Sequence, residues 1–200
     1  MNITREQVEN AVKSKGYRWF EKRDYNLNIV GIRNSSFDDK ITNKFDDLIT
    51  VSYKVNNKWL FKAYNATTDP GKYYSENLLN KNGVAILVPD QYLGSHKIGP
   101  HGRSRYTALR QAKPLRVYRD KNKDQIFDLV EENIQEGIFW INIHRATKWG
   151  TSKQIDKFSA GCQVIASNSD FEEFMNLCHT SAKIWGDSFT YTLIESDDIK

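Results

Sequence analysis

Two hundred residues with 29 basic and 25 acidic side chains, a formal net charge of +4, fit one domain of ordinary size with a proper core. The basic residues are interspersed with acidic ones, which argues against a nucleic-acid-binding surface, while a slightly cationic face suits an anionic polymer such as cell wall. Two cysteines make no disulfide framework. No run approaches the roughly 18 apolar residues of a membrane span, and the charged start, Met1 to Glu9, lacks the apolar stretch of a signal peptide.

Thr4-x-x-Gln7 reads as a capping box, and Ile3, Val8, Ala11 and Val12 give the helix after it one apolar stripe that Gly16 ends. Residues 1–20 thus form a helical extension. Leu27–Arg33 alternates as a strand, and Asn34–Asp47 is polar and loop-like. Leu48–Val55 and Trp59–Asn65 alternate on either side of Asn56-Asn57-Lys58, a hairpin signature. Thr67–Gly71 is a turn. Val84–Val88 is a short buried strand stopped at Pro89-Asp90. Gln91–Gln111, with three glycines and with His96, His101, Arg103, Arg105, Tyr106 and Arg110, reads as a long irregular loop of the kind that serves as a lid or wall of a site.

Leu115–Tyr118 is a further strand. After it, Asp120, Asn122, Asp124, Asp128 and Glu131 fall at positions 1, 3, 5, 9 and 12 of a calcium loop, with the Ile126 carbonyl at 7. Gln125 stands where such a loop has Gly. The alternative is an Asx-rich turn whose carboxylates Lys121 and Lys123 neutralise. A calcium ion there would be structural. Ile126–Ile134 is expected to be a short helix ending near Gly137. Two apolar runs, Ile138–Ile143 and Val164–Ala166, read as buried strands. Ser169-x-x-Glu172 is expected to cap a helix running to Thr180, with Phe171, Phe174, Leu177 and Cys178 on its core side, and Ser188–Ile194 is the last strand. With no repeat and no linker, residues 1–200 read as one domain of α+β, mainly β, class.

The chemistry gathers at the ends of the two apolar runs. His144 closes the first and Cys162 opens the second. An imidazole can take the thiol proton and return it to a leaving group, while the thiolate attacks a carbonyl. Gly161 lets backbone approach a substrate closely and could aim amides at an oxyanion. A zinc site built from His96, His101, His144 and Cys162 is a second reading, although the spacing His-x4-His is loose and no His-Glu-x-x-His occurs.

His144, a spacer, then Ser159-x-Gly161-Cys162 resembles the signature of the L,D-transpeptidase (YkuD-like) catalytic domain. The resemblance covers about the second half of the chain. It implies a β-sandwich of mixed sheets with a few peripheral helices. It also implies acyl transfer or hydrolysis on peptidoglycan stem peptides, of transpeptidase, carboxypeptidase or endopeptidase type. Cys162 would then be the nucleophile and His144 the base, oriented by the Arg145 carbonyl, with Gly161 and Cys162 amides for the oxyanion and no cofactor required for catalysis. Ala160 and Val164 stand where the family has His and Arg; an arginine of the 91–111 segment could replace the missing one as carboxylate clamp, the alternative being that the segment is a solvated loop with ordinary charges. Those two departures also suit a cell-wall-binding, phage or injection-system module without turnover. Without a signal peptide, a wall-acting protein is expected to reach its substrate by release or delivery. Oligomeric state is left open.

Overall fold

The Thr4 hydroxyl accepts the Gln7 N–H at 3.2 Å while the Gln7 side chain accepts the Thr4 N–H at 3.0 Å, capping helix α1 (Arg5–Ser14) from both sides. The computed structural model describes residues 3–37 and 39–200. Met1 and Asn2, the first residues of the expected extension, and Asp38, within the expected polar loop, lie outside the described residues. In chain order the elements after α1 are β1 (Asn28–Arg33), β2 (Asp47–Val55), β3 (Lys58–Thr67), α2 (Lys72–Glu76), β4 (Val84–Leu87), β5 (Gln91–His101) and β6 (Tyr106–Gln111). There follow β7 (Leu115–Asp120), β8 (Gln135–Gly137), β9 (Ile143–Arg145), β10 (Gln163–Ile165), α3 (Asn168–Trp185) and β11 (Phe189–Glu195). The chain is mainly β with few helices, as its alternation predicts.

Eight strands close into a barrel in the order β1-β11-β5-β6-β9-β10-β3-β2, and β4-β7-β8 form a separate three-stranded sheet. Most neighbours are antiparallel. The two parallel pairs are β1 with β11 and β9 with β10. The β2–β3 hairpin turns at Asn56 (φ 50°) and Asn57 (φ 62°), and asparagine is the non-glycine residue that best tolerates that left-handed pair. In β1 both faces are covered. Ile29 enters the main core, while Val30 and Ile32 pack with Val8, Ala11 and Val12 of α1. The main core gathers residues from around the barrel, from β4 and β7, and from Phe171, Phe174, Met175 and Cys178 of α3.

Four expectations are corrected. Gln91–Gln111 is no irregular loop. It is the β5–β6 hairpin, which pairs with β11 on one side and β9 on the other and turns at Gly102 and Arg105, both at positive φ. Its polar composition hid the extended backbone. Ile126–Ile134 is not helical beyond a single 3-10 turn at Glu131–Asn133. Left-handed Lys123 and Gln125 break the backbone, and the segment bonds across to the 39–41 loop, Ile41 N–H to the Gln125 carbonyl and Phe127 N–H to the Asp39 carbonyl, instead of coiling on itself. The helix expected to start at Ser169 starts earlier, with Ser167 accepting the Asp170 N–H, and runs to Trp185.

The fourth concerns Ile138–Ile143. Only Ile143 belongs to a strand, and Ile138 and Trp140 are exposed. The buried Gln111 side chain takes the place of a neighbouring strand. Its Oε1 accepts the Phe139 and Ile141 N–H groups, both at 3.0 Å, and its Nε2 donates to the Gly137 carbonyl at 2.8 Å. Between those two amides Trp140 adopts φ 62°, a conformation that a bulky residue rarely takes.

Candidate active site

His144 and Cys162 lie on neighbouring parts of the sheet because β9 and β10 run parallel, with His144 beside Val164 and Ile143 beside Gln163, the residue that follows Cys162. The Gln163 N–H donates to the Asn142 carbonyl at 2.9 Å, which extends the ladder toward Cys162. Cys162 itself is half-buried. Its thiol donates to the Trp140 carbonyl at 3.3 Å, so the left-handed turn at Trp140 presents an acceptor to the sulfur. The hydrogen bond of the thiol therefore goes to backbone and not to His144. Crowding by protein pushes the Cys162 thiol up to about 11, with the Asn142 backbone N–H pulling the other way.

The His144 Nδ1–H donates to the Arg145 carbonyl at 2.8 Å, which assigns the proton to Nδ1 and leaves Nε2 as the basic nitrogen. The Tyr106 hydroxyl stands 3.4 Å from the same Nδ1 and donates to the Arg145 carbonyl at 3.5 Å. The Arg145 guanidinium lies over the Tyr106 ring and donates to Asn168 Oδ1 at 2.7 Å. Against the other flank, His101 stacks on His144 with ring centroids 4.2 Å apart, and its Nδ1 is 3.2 Å from the Asn142 side-chain amide. Burial and the adjacent His101 hold His144 down to about 3. At neutral pH the pair is therefore a thiol and a neutral imidazole, with no thiolate–imidazolium ion pair at rest.

The turn before β10 is closed by Ser159. Its hydroxyl donates to the Cys162 carbonyl at 2.8 Å and accepts the Gly161 N–H at 3.1 Å. Gly161 is required twice over: it sits at φ 125°, and a Cβ there would run into the Ala85 carbonyl of β4. The Gly161 amide is bound to Ser159, whereas the amides of Ser159, Ala160 and Cys162 meet no protein acceptor among the described residues. Beneath the turn, the buried Gln163 side chain donates to the Thr68 and Gly161 carbonyls and accepts the Tyr191 hydroxyl at 2.7 Å. Gly31 in β1 leaves the room that this hydroxyl fills.

The sequence suggests His101 beside His144 only as a zinc ligand and Tyr106 only as part of a wall, and it gives no sign of Asn142 and Trp140 beside the thiol. Only strand pairing brings them there. Of the arginines expected over the site, Arg103 and Arg105 are exposed at the hairpin turn, and Arg110 lies over the Trp140 ring. His96 is distant from zinc chemistry: its Nδ1 is 2.9 Å from the Ser95 hydroxyl and its Nε2 is 3.0 Å from the Ile141 carbonyl. In the 120–131 segment the Asn122 amide donates to both Asp124 and Asp128 at 3.1 Å, and Asp124 accepts the Ile126 N–H at 2.9 Å. These are the bonds of an Asx-rich turn, and Glu131 falls in the 3-10 turn Glu131–Asn133 that follows. Among the described residues no group of three or more His, Cys, Asp or Glu side chains is placed to hold a metal ion. Nor is any helix among them long and apolar enough to cross a membrane.

No protein-family model matches this chain, and no curated protein or solved structure is detectably similar to it. The chemistry of the site therefore rests on its own geometry and on the short motif.

Proposed function

We propose that the chain is a cysteine-dependent acyl transferase or hydrolase of L,D-transpeptidase type, acting on peptidoglycan stem peptides. The observation that carries this reading is that His144 sits on β9 while Cys162 immediately precedes β10, the parallel neighbour of β9, with Nδ1 committed to the Arg145 carbonyl and Nε2 left as base. On this reading the neutral imidazole takes the thiol proton as sulfur bonds to the acyl carbon. The tetrahedral oxyanion takes the Cys162 N–H as donor. The C–N bond then breaks, the imidazolium returns its proton to the departing amine, and a thioester remains. Water or an acceptor amine attacks that thioester, gives a proton to His144, and releases the thiol. The sandwich of mixed sheets that the resemblance implies would correspond to the closed sheet with its three-stranded flank.

Mass spectrometry after incubation with a carbapenem tests the reading, because thiols of this type are acylated by that class. One adduct on Cys162 is expected, absent from Cys162→Ser and much reduced in His144→Ala. An unmodified protein would overturn it. The raised thiol pKa and the thiol's bond to Trp140 favour a second reading, a wall-binding module without turnover, and binding of muropeptides with no adduct would select it.

A further inference from the structure

The hydrogen bonds around the stacked imidazoles fix where each ring proton sits. Asn142 sets the first step. Its Oδ1 accepts the Gln111 backbone N–H at 2.9 Å, a role its nitrogen cannot fill, so the amide nitrogen is the atom turned toward His101. That nitrogen lies 3.2 Å from His101 Nδ1 and can only donate. His101 Nδ1 therefore accepts, and the proton of the neutral ring sits on Nε2. His144 has the opposite arrangement, with its proton on Nδ1 toward the Arg145 carbonyl. The rings lie face to face, with centroids 4.2 Å apart and 21° between their planes. Neither can hydrogen-bond the other, so they are coupled through charge.

The two rings differ in access to water. His144 is buried, whereas His101, the last residue of β5, is only half-buried. Tyr106, opposite His101 in the hairpin, touches both. Its ring meets His101 edge-on at 5.5 Å, and its hydroxyl stands at His144 Nδ1. The other charged or titratable groups that face this trio are Arg110 of β6, Arg145 of β9 and the Cys162 thiol ahead of β10. Among the described residues no carboxylate acts on either imidazole. An imidazolium formed here meets no counter-charge. Two like charges at this separation make the second protonation about tenfold or more harder than the first. The pair therefore holds one proton beyond its neutral state, and the outer ring, nearer water, takes it first.

We infer that His101 is a positioning residue for His144 and the acid-sensitive switch of the site. Neutral and tied to Asn142, it backs the face of the base. Charged, it sets an N–H against the Asn142 N–H, and that amide cannot turn over without pointing a donor at the Gln111 N–H. A charged His101 also denies His144 the positive charge that a general base must accept. The silencing rests on the acyl-transfer reading; the assignment of the ring protons does not.

Nitrogen-15 NMR of the histidine rings from pH 5 to 9, in the parent protein and in Asn142→Asp, reads these protons without turnover. In the parent both rings are expected to be neutral at pH 7.5, with Nε2–H on His101 and Nδ1–H on His144. Asn142→Asp keeps an acceptor for Gln111 and turns a carboxylate oxygen toward His101 Nδ1. His101 should then keep its proton to a pH about one unit or more higher, while His144 stays neutral. An Nδ1–H tautomer on neutral His101, or a His144 that charges before His101, overturns the inference, and the parent spectra decide this even if the variant fails to fold. The second readout is the rate of Cys162 acylation by a carbapenem. Its fall on acidification should follow His101, moving to higher pH in Asn142→Asp and to lower pH in His101→Phe, which keeps a stacked ring with no proton to gain. A His101→Phe protein that is slower at every pH, with the fall left in place, would show a merely structural ring and overturn the switch. No adduct in any of the proteins removes the acyl-transfer reading and the silencing with it, while the spectra still decide the ring protons.

Discussion

Cys162 and His144 are both held neutral, each by the same cause. Removing a charged group from water disfavours the charged form, so the thiol rises and the imidazole falls. The sign sets the expected reactivity. A thiol at about 11 exposes less thiolate at any pH below that value than a free cysteine does. Alkylation of Cys162 by iodoacetamide at pH 7.5 should therefore run about tenfold or more slower than that of free cysteine, and should climb without a plateau as pH rises toward 10. A rate that is flat from pH 5 to 8 would mean a resting ion pair and would contradict the assignment. On the proposed acyl-transfer reading the neutral imidazole would wait for substrate, and the proton would move only as the C–S bond forms. His144, Gly161 and Cys162 were singled out in the sequence by residue type and spacing, and the structure places them around the β9–β10 end of the sheet. His101 and Tyr106 stood out only as members of a polar segment over the site, and Asn142 carried no mark at all. Only the pairing of β5 and β6 with their neighbours puts them beside His144 and the thiol.

At the scale of elements, legibility followed how local the causes are. The α1 cap and the β2–β3 turn are each written in three or four adjacent residues, and both form as read. The segment from Ile138 to Asn142 misled because its apolar run matches a strand while its hydrogen bonds come from one side chain far away in sequence, Gln111. The start of α3 moved from Ser169 to Ser167 because either serine can cap, and the hydroxyl of Ser167 is the one aimed at the Asp170 N–H. Gln111 offers a direct test. Its side chain bonds the Gly137 carbonyl, the Phe139 and Ile141 amides and the Lys113 carbonyl. Gln111→Ala should cost about 2–4 kcal/mol in chemical denaturation. Amide exchange should quicken at Phe139 and Ile141 while α1 stays protected. Equal quickening everywhere would mean that Gln111 supports the fold at large and not this segment.

For the whole molecule, the buried polar groups around Arg33 set how stability responds to pH. Burial and the neighbouring Asp69 carboxylate push Asp47 up to about 8, against the Thr68 and Asn34 N–H groups and Arg33. An unfolded Asp titrates near ~4. Between these values the folded state keeps a proton that the unfolded state has lost, so this group lowers stability as pH rises through that window. His96, held down to about 4, and His144 act in the opposite direction, but only below their unfolded value near ~6.5. From pH 6.5 to 8.5 Asp47 therefore acts without them. The denaturation midpoint should fall across that interval by the equivalent of about 1–2 kcal/mol, and Asp47→Asn should flatten the slope. A midpoint that rises or stays level in the parent protein would show Asp47 to be ionised throughout. Mainly-β class was readable from alternation. Closure was not, since nothing in the sequence says that the first and last strands meet.

That meeting has a consequence for the order of events during synthesis. Ile29 of β1 pairs with Tyr191 of β11, and the Tyr191 hydroxyl is the same one that holds Gln163 beneath the Cys162 turn. A ribosome completes β1 early and must finish β11 before the barrel has anything to close on. Closure over so long a stretch of chain is a slow, non-local step. The support under Cys162 is thus withheld until β11 has emerged, so whatever reactivity this thiol possesses is acquired only after translation has passed that strand.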